Sequence, residues 1–251
     1  LITSIHNERV KLAHALIAQA KTRRKEGKIA LEGVRVIRDA LERGGYTPDF
    51  ILYDPEQVEI KSLQALTNQL FEVSAEVIKH ISATEQPQGI IGIFPMPMPT
   101  LPIKPERVLV LDHLRDPGNL GTILRTAAGA GVDVVMLSPG CVDLYNDKVV
   151  RGGMGAHFRL PIVERSWAEI REVVDGMPVY LADMTGDGAY HEVDWTAAHA
   201  LIIGSEADGA SADAESLATS RVYIPMASET ESLNAAVAAG VILFEATRQR
   251  R

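Results

Sequence analysis

The chain has 251 residues, of which 46% are hydrophobic and 23% charged, a composition typical of a globular protein with one large domain or two smaller ones. Its net charge of −8 argues, taken alone, against a nucleic-acid partner. Cys141 is the only cysteine, which excludes an internal disulfide or a zinc site of several cysteines and favours the cytoplasm. We find no stretch long enough to cross a bilayer and no signal-peptide pattern at the start.

The charge is unevenly distributed along the chain. Residues 1–43 contain ten Lys or Arg against five Asp or Glu, whereas residues 101–251 contain thirteen against twenty-one. A basic leading segment can bind phosphate locally, because more distant charges are screened by salt. The densest basic run, "KTRRKEGK", contains five cations, which are Lys21, Arg23, Arg24, Lys25 and Lys28. Such runs are most often solvated helix ends.

The first hundred residues predict a small α/β or α+β domain. "NERVKLAHALIAQ" has helical periodicity, with an apolar face that includes Val10, Ala13 and Leu16. "VRVIRDALERGG" predicts a second helix, stopped by Gly44 and Gly45. "DFILYD" and "GIIGIF" are typical of short strands.

A proline-rich stretch, "FPMPMPTLPIKPER", marks the domain boundary. Proline removes amide donors and fixes φ, so this stretch can neither continue a helix nor lie in a central strand. We therefore predict a first domain over residues 1–96, a linker over 97–106 and a second domain over 107–251.

The second domain alternates continuous apolar strands with helices. "RVLVLD", "VDVVMLS", "MPVYLAD", "ALIIGSE" and "RVYIPM" are the strands, and "SWAEIREVVD" begins with the Ser166 and Glu169 spacing of a capping box. This alternation predicts a parallel sheet that is covered on both faces. Ligands of such sheets bind at the carboxyl ends of the strands.

Three polar motifs follow predicted strands. In "DPGNLGTILRTA", Asn119 can cap a helix on which Gly121, Arg125 and Gly129 form one stripe. In "IIGSEADG", Gly204 allows close approach to a strand end and Glu206 offers a carboxylate. Taken singly, the first motif is better explained by a capped helix whose arginine reaches a carboxylate, and the second by a solvated turn.

The third motif, "IPMASETESLNAAVAAG", leads from a strand into the last helix. Ser232 and Asn234 stand where free amides and the helix dipole favour an anion or a polar acceptor. The small residues that follow, among them Ala235, Ala239 and Gly240, allow another helix to pack closely. A capped core helix explains the same residues, so this motif alone leaves both interpretations open.

Taken together, the three motifs resemble those of the SpoU/TrmH family of RNA ribose 2′-O-methyltransferases, within the SPOUT superfamily. Asn119 and Arg125 match its first motif, "GSEADG" its second, and "IPM…ESLNAAVAAG" its third. The leading residues, ending in "TEQPQGIIGIF", resemble its L30e-like substrate-binding domain. The stretch "KVVRGGMGAHFRLPI" departs from the family at Gly153, where a serine is usual.

The resemblance implies an α/β fold with a deep trefoil knot that binds S-adenosylmethionine and assembles as a homodimer through the C-terminal domain. It places the cofactor against Gly204, Ile224 and Leu233, to which we add Met226 as a further wall. It makes Arg125 the catalytic arginine, assisted by four polar residues, Asn119, Glu206, Ser232 and Asn234. It also favours contact between RNA and the basic run formed by Lys21, Arg23, Arg24, Lys25 and Lys28.

Ribosomal RNA is the favoured substrate, with transfer RNA as the alternative. A non-catalytic RNA-binding protein of the same fold is the main rival from another class. A nicotinamide-dependent oxidoreductase would need a G-x-G-x-x-G fingerprint, which "DPGNLGTILR" lacks. The seven histidines are scattered without metal-ligand spacing, so we expect no metal.

Overall fold

The computed structural model describes residues 1–43, 45–205, 209–227 and 233–251. The chain forms two compact units. Unit 1 comprises Leu1–Met98 and Tyr145–Arg159, and unit 2 comprises Pro99–Leu144 and Leu160–Arg251. Within the described parts of the chain, none of the helices combines the length and the apolar character that crossing a membrane requires.

The helices, in chain order, are α1 (Glu8–Ala18), α2 (Ala20–Glu26), α3 (Val34–Glu42), α4 (Lys61–Gln64), α5 (Ala75–Ile81), α6 (Pro117–Ala130), α7 (Asp147–Gly153), α8 (Trp167–Val173), α9 (Ala212–Leu217) and α10 (Ala235–Gln249). The strands are β1 (Lys28–Glu32), β2 (Phe50–Tyr53), β3 (Leu70–Glu72), β4 (Ile90–Pro95), β5 (Arg107–Leu111), β6 (Val134–Leu137), β7 (Ile162–Glu164), β8 (Val179–Ala182), β9 (Gly188–Ala189), β10 (His199–Ile203) and β11 (Ser220–Tyr223).

Unit 1 is built on a mixed four-stranded sheet. Its strand order is β1-β4-β2-β3, with β4 antiparallel to both neighbours and β2 parallel to β3. The predicted first helix is α1, which buries Val10, Ala13 and Leu16 as its periodicity requires. The predicted strands "DFILYD" and "GIIGIF" are β2 and β4.

The segment Tyr145–Arg159 belongs to unit 1, although it follows β6 of unit 2 and the sequence analysis assigned it to the second domain. Val150 and Phe158 join the unit 1 core beside Ile29 and Leu31. The apolar residues of this segment do not indicate in the sequence whether they pack in the core of unit 1 or in that of unit 2. The division between Met98 and Pro99 lies inside the stretch predicted as a linker.

Unit 2 contains a seven-stranded sheet in the order β7-β6-β5-β10-β8-β11-β9, and all six strand pairs are parallel. The predicted parallel α/β sheet is therefore confirmed. Its central strands β5, β6 and β10 are buried almost throughout, which explains their continuous apolar sequences. The capping box at Ser166 and Glu169 is also present, at the start of α8.

Helices α6 and α10 pack in parallel against each other in unit 2. At their N-terminal ends Asn234 donates to Asn119, and near their C-terminal ends the Thr247 hydroxyl donates to the Ala130 carbonyl. The small residues Ala235, Ala236 and Ala239 of α10 are buried, and a Cβ on Gly240 would lie at an ordinary contact distance, 3.8 Å, from the Thr126 methyl group. The close packing predicted from the small residues of the last helix is confirmed.

Candidate active site

Helix α6 starts earlier than the sequence analysis predicted. Its N-cap is Asp116, whose carboxylate accepts the Asn119 backbone N–H at 2.7 Å, and Pro117 occupies the first turn. Asn119 is therefore not the cap, and its side-chain oxygen accepts a hydrogen bond from Asn234. Proline suits the first helical position because it has no amide hydrogen to satisfy there.

A cavity of about 790 Å³ opens at the carboxyl ends of the strands of unit 2. It lies where β10 and β11 end, at the edge predicted for a ligand. The structure places four predicted cofactor residues in its wall, namely Gly204, Ile224, Met226 and Leu233. The volume falls in the range of small-molecule sites, about 300–1,000 Å³.

Gly204 forms part of a narrow turn in this wall. A Cβ at this position would lie 2.9 Å from the Gly209 carbonyl oxygen, so any larger residue would collide with backbone. Ser205 and Gly209 exchange backbone hydrogen bonds of 3.0 and 3.2 Å across the turn, and Gly209 has a φ of +69°. Glu206, predicted within this turn, lies outside the described residues.

The cavity wall also contains two residues that were not predicted from the sequence, Asp183 and Met184, which follow β8. Burial alone would raise the pKa of Asp183, but hydrogen bonds from Thr185 and the Arg221 guanidinium outweigh it and lower the pKa below its ordinary value. Asp183 therefore stays ionised at neutral pH. The sequence could have indicated Asp183, because it ends the predicted strand "MPVYLAD", and the three motifs likewise stand at the ends of predicted strands.

Asn234 joins the first and third motifs directly. Its Oδ1 caps α10 by accepting the backbone N–H groups of Ala236 at 2.9 Å and Val237 at 3.3 Å. Its Nδ2 donates to Asn119 Oδ1 at 2.9 Å, and Asn234 also lines the cavity. The side chain is thus both a helix cap and a link between two motifs. Ser232 lies outside the described residues.

Arg125 lies on the exposed surface of α6. It lies six positions after Asn119, which corresponds to about 9 Å along the helix axis. Gly129 is exposed like Arg125 but Gly121 is buried, so only part of the predicted stripe faces solvent. Among the described residues Arg125 forms no ion pair or hydrogen bond through its guanidinium, which leaves this cation accessible to an anion.

The basic run of unit 1 divides into exposed and engaged residues. Lys21, Arg24 and Lys25 are exposed on α2. Arg23 is only 4% exposed and donates to the carbonyls of Leu16 and Ile17 at the end of α1, so the prediction that it binds RNA does not fit the structure. Lys28 is half-buried and pairs with Asp49 at 2.5 Å.

Comparison with known proteins identifies the family. The model of the SpoU rRNA Methylase family matches residues 106–244, and that of the MRM3-like substrate binding domain matches residues 7–92. The chain belongs to the SpoU rRNA methylase family. The resemblance found in the sequence is therefore confirmed, and with it the prediction of an S-adenosylmethionine-dependent RNA 2′-O-methyltransferase with an N-terminal substrate-binding domain.

Several members of the SpoU family align over almost the whole chain. The mouse protein "rRNA methyltransferase 3, mitochondrial" is 36% identical, over 98% of this chain and 73% of its own length. The "23S rRNA (guanosine(2553)-2'-O)-methyltransferase RlmP" of Bacillus subtilis is 32% identical over 97% of both chains. The crystal structure of AviRb from Streptomyces viridochromogenes, solved with AdoMet, superposes with a TM-score of 0.87 at 29% identity over 98% of both chains.

The two roles of Asn234 can be separated by replacing it with aspartate. In Asn234→Asp the carboxylate still accepts the two backbone N–H groups, so we expect the thermal unfolding temperature to change little. It cannot donate to Asn119, and the two oxygens repel each other. We therefore expect methyl transfer to fall about tenfold, the effect of one lost hydrogen bond.

Asn7→Asp is the matched control, because Asn7 caps α1 by accepting the Arg9 N–H at 2.9 Å. This variant should retain full activity. An Asn234→Asp protein as active as the parent would mean that the contact with Asn119 has no part in the reaction.

Proposed function

We propose that this chain methylates a ribose 2′-hydroxyl of ribosomal RNA and that the cavity of unit 2 holds S-adenosylmethionine. The observation that carries the proposal is the joining of the motifs. Gly204, Ile224 and Leu233 line one cavity, and Asn234 connects its rim to Asn119 on the helix of Arg125. Ribosomal RNA is favoured over transfer RNA because the mouse and Bacillus relatives carry rRNA methyltransferase names.

The residues of the cavity fit this cofactor. Its walls are largely apolar, with Ile203, Ile224 and Leu233 available to pack against an adenine ring. The strand end at Gly204 can approach the cofactor closely because no side chain intervenes. The ionised Asp183 carboxylate suits a positively charged molecule. When bound, the cofactor supplies the methyl group, activated by its attachment to a sulfonium.

The chain's own contribution is to position the ribose and to stabilise charge. Arg125 would hold the phosphate beside the target ribose and stabilise the negative charge that develops on the 2′-oxygen. A guanidinium is always protonated in proteins, so Arg125 acts as a cation and not as the base. Asn119 and Asn234 would orient the ribose, with Glu206 and Ser232 proposed for the same task. Such positioning can supply about 7–11 kcal/mol of barrier reduction in favourable cases.

Replacing Arg125 with alanine tests this assignment. We expect the methylation rate to fall at least about 100-fold, as when one preorganised donor is lost, with S-adenosylmethionine affinity almost unchanged. Methyl incorporation from labelled cofactor into separated ribosomal and transfer RNA measures the rate and identifies the substrate. Calorimetry measures the affinity.

Arg125→Lys is the control for charge alone and should recover only part of the activity, because lysine lacks the planar fork. Full activity in Arg125→Ala would exclude the proposed role. Incorporation only into transfer RNA would favour the alternative substrate, and cofactor binding without incorporation into any RNA would favour the non-catalytic rival.

We further propose that unit 1 contacts the RNA backbone through the exposed cations Lys21, Arg24 and Lys25. These three side chains lie on the seven-residue helix α2. Lys25 is also within 3.7 Å of Glu26, but this pair is exposed and contributes little. Lys28 is a weaker candidate because binding a phosphate would compete with its ion pair to Asp49.

The salt dependence of RNA binding tests this surface. Neutralising all three residues to glutamine should reduce the slope of log affinity against log salt by about 2, because each phosphate contact contributes about 0.7–0.9. Lys61→Gln is the control, since Lys61 is an exposed lysine of the same unit that pairs with Glu59. Equal slopes for the triple variant and the parent would assign α2 to a solvated face.

We also propose a homodimer through the outer face of α6 and α10. Two large apolar side chains are half exposed there, Val237 at 50% and Phe244 at 52%. Phe244 packs beside Gly129 of α6, so the two helices present one continuous surface. Arg125 is exposed on the same helix as Gly129, and dimerisation would bring it close to the second protomer.

Phe244→Asp should convert the dimer to a monomer in analytical ultracentrifugation, because a charge would be buried in the interface. Ile103→Asp is the control, since Ile103 is 99% exposed in the proline-rich stretch and should have no effect on assembly. A parent protein that sediments as a monomer would exclude this interface.

The finer features of the fold are proposals as well. In the sheet β8 and β10 separate β11 from β5, yet α10, which follows β11 in the chain, packs against α6, which follows β5; this connectivity suits a trefoil knot. The mixed sheet of unit 1 suits an L30e-like fold. A crystal structure traced through residues 206–208 and 228–232 would test the knot. A cytoplasmic location stays a prediction, because the mouse relative has a mitochondrial name.

A further inference from the structure

Unit 2 contains a fully buried carboxylate that the proposed reaction does not use. Asp112 directly follows β5 and has 0% exposure. Burying a charge is costly unless hydrogen bonds compensate for the lost water. The contacts of Asp112 therefore indicate what this charge stabilises.

One carboxylate oxygen holds the chain that leaves the cavity wall. Asp112 Oδ2 accepts the backbone N–H of Ser211 at 2.7 Å, a contact between residues 99 positions apart. Ser211 directly follows Gly209 and Ala210, which both line the cavity. Ser211 is also the N-cap of α9. Asp112 thus fixes the end of the narrow turn that begins at Gly204.

The other carboxylate oxygen holds the segment that leads to Arg125. Asp112 Oδ1 accepts the Ser138 hydroxyl at 3.0 Å and lies 3.0 Å from His113 Nδ1. The backbone N–H of His113 donates to Ser138 Oγ at 3.1 Å. His113 has a φ of +51°, a conformation that a non-glycine residue rarely adopts without external support.

We infer that Asp112 is a positioning residue that sets the cofactor cavity wall and the approach to α6 in one fixed arrangement. The inference rests on the proposed function, in which this cavity binds S-adenosylmethionine. Without the carboxylate, the Ser211 N–H loses its acceptor, and the cavity wall at Gly209 and Ala210 loses the contact that fixes its outgoing end. The cofactor then binds a wall that must first be ordered, which lowers affinity.

The test is Asp112→Asn, which keeps the shape of the side chain but replaces one acceptor oxygen with an amide donor. We expect the S-adenosylmethionine dissociation constant and KM to rise about tenfold, as for the loss of a charged acceptor, with a smaller fall in kcat. RNA affinity, measured without cofactor, should not change. Calorimetry and steady-state kinetics measure these quantities.

Asp133→Asn is the matched control. The Asp133 carboxylate accepts the backbone N–H groups of Glu106 at 2.8 Å and Arg107 at 2.9 Å. These residues lie at the amino ends of β5 and β6, on the side of the sheet away from the cavity. It should lower the unfolding temperature without changing cofactor affinity. Equal effects of both variants on cofactor affinity would reduce Asp112 to a general structural role and overturn the inference.

If Asp112→Asn does not fold, Ser211→Pro decides, because proline has no N–H to donate to Asp112 Oδ2 and the Ser211 φ of −73° suits it. A dissociation constant equal to the parent's in the folded variant overturns the inference, and a raised constant supports it. Gly204→Val separates the two proposals. If it leaves cofactor affinity intact, the cavity is not the cofactor site. If it weakens binding while Asp112→Asn does not, only the positioning role fails.

Discussion

All strands of the seven-stranded sheet run in one direction, so the loops after β5, β8, β10 and β11 all leave the sheet on the side of the strands' carboxyl ends. This constraint brings together residues more than 100 positions apart, such as Asn119 and Asn234. The parallel packing of α6 on α10 then fixes the two helix starts side by side. Without the common direction, the three motifs would be unrelated turns. With it, one hydrogen bond between the Asn119 and Asn234 side chains joins the first and third motifs, and the cavity wall that Asn234 shares with Gly204 joins the second.

The site separates two kinds of chemistry that conflict with each other. The cavity is mostly apolar and suits a large organic cofactor, whereas Arg125 stays on the exposed side of α6 where a phosphate can reach it. A guanidinium inside the cavity would be costly to desolvate and would repel a sulfonium. The ionised Asp183 has the opposite charge and lies in the wall. The placement of charge therefore agrees with a cationic donor inside and an anionic substrate outside.

Sequence patterns predicted what depends on local periodicity or on strand direction. The strands of unit 2 and their parallel direction follow from continuous apolar runs that end in polar residues. The assignment of Gly204, Ile224 and Leu233 to the cofactor wall came from the resemblance to the SpoU/TrmH family. What escaped prediction depends on tertiary contacts. Arg23 belongs to the same basic run as Arg24 and Lys25, but its side chain is buried and caps the end of α1. The segment 145–159 packs in the core of unit 1, which is distant from it in sequence. Asp112 ends a predicted strand, yet only the structure reveals its contact with Ser211.

The acidic composition of the chain does not conflict with an RNA substrate. A Debye length of about 8 Å at physiological salt means that a phosphate senses mainly the nearest side chains. Lys25 and Arg24 lie in the last turn of α2, where cations also stabilise the helix dipole by about 0.3–1 kcal/mol each. That structural benefit explains a basic helix end without any RNA, and it applies to exposed and buried cations alike. Stabilisation of the helix dipole does not explain Lys21, because Lys21 lies in the first turn of the same helix. An effect of replacing Lys21 on RNA binding would therefore report phosphate contact and not helix stability.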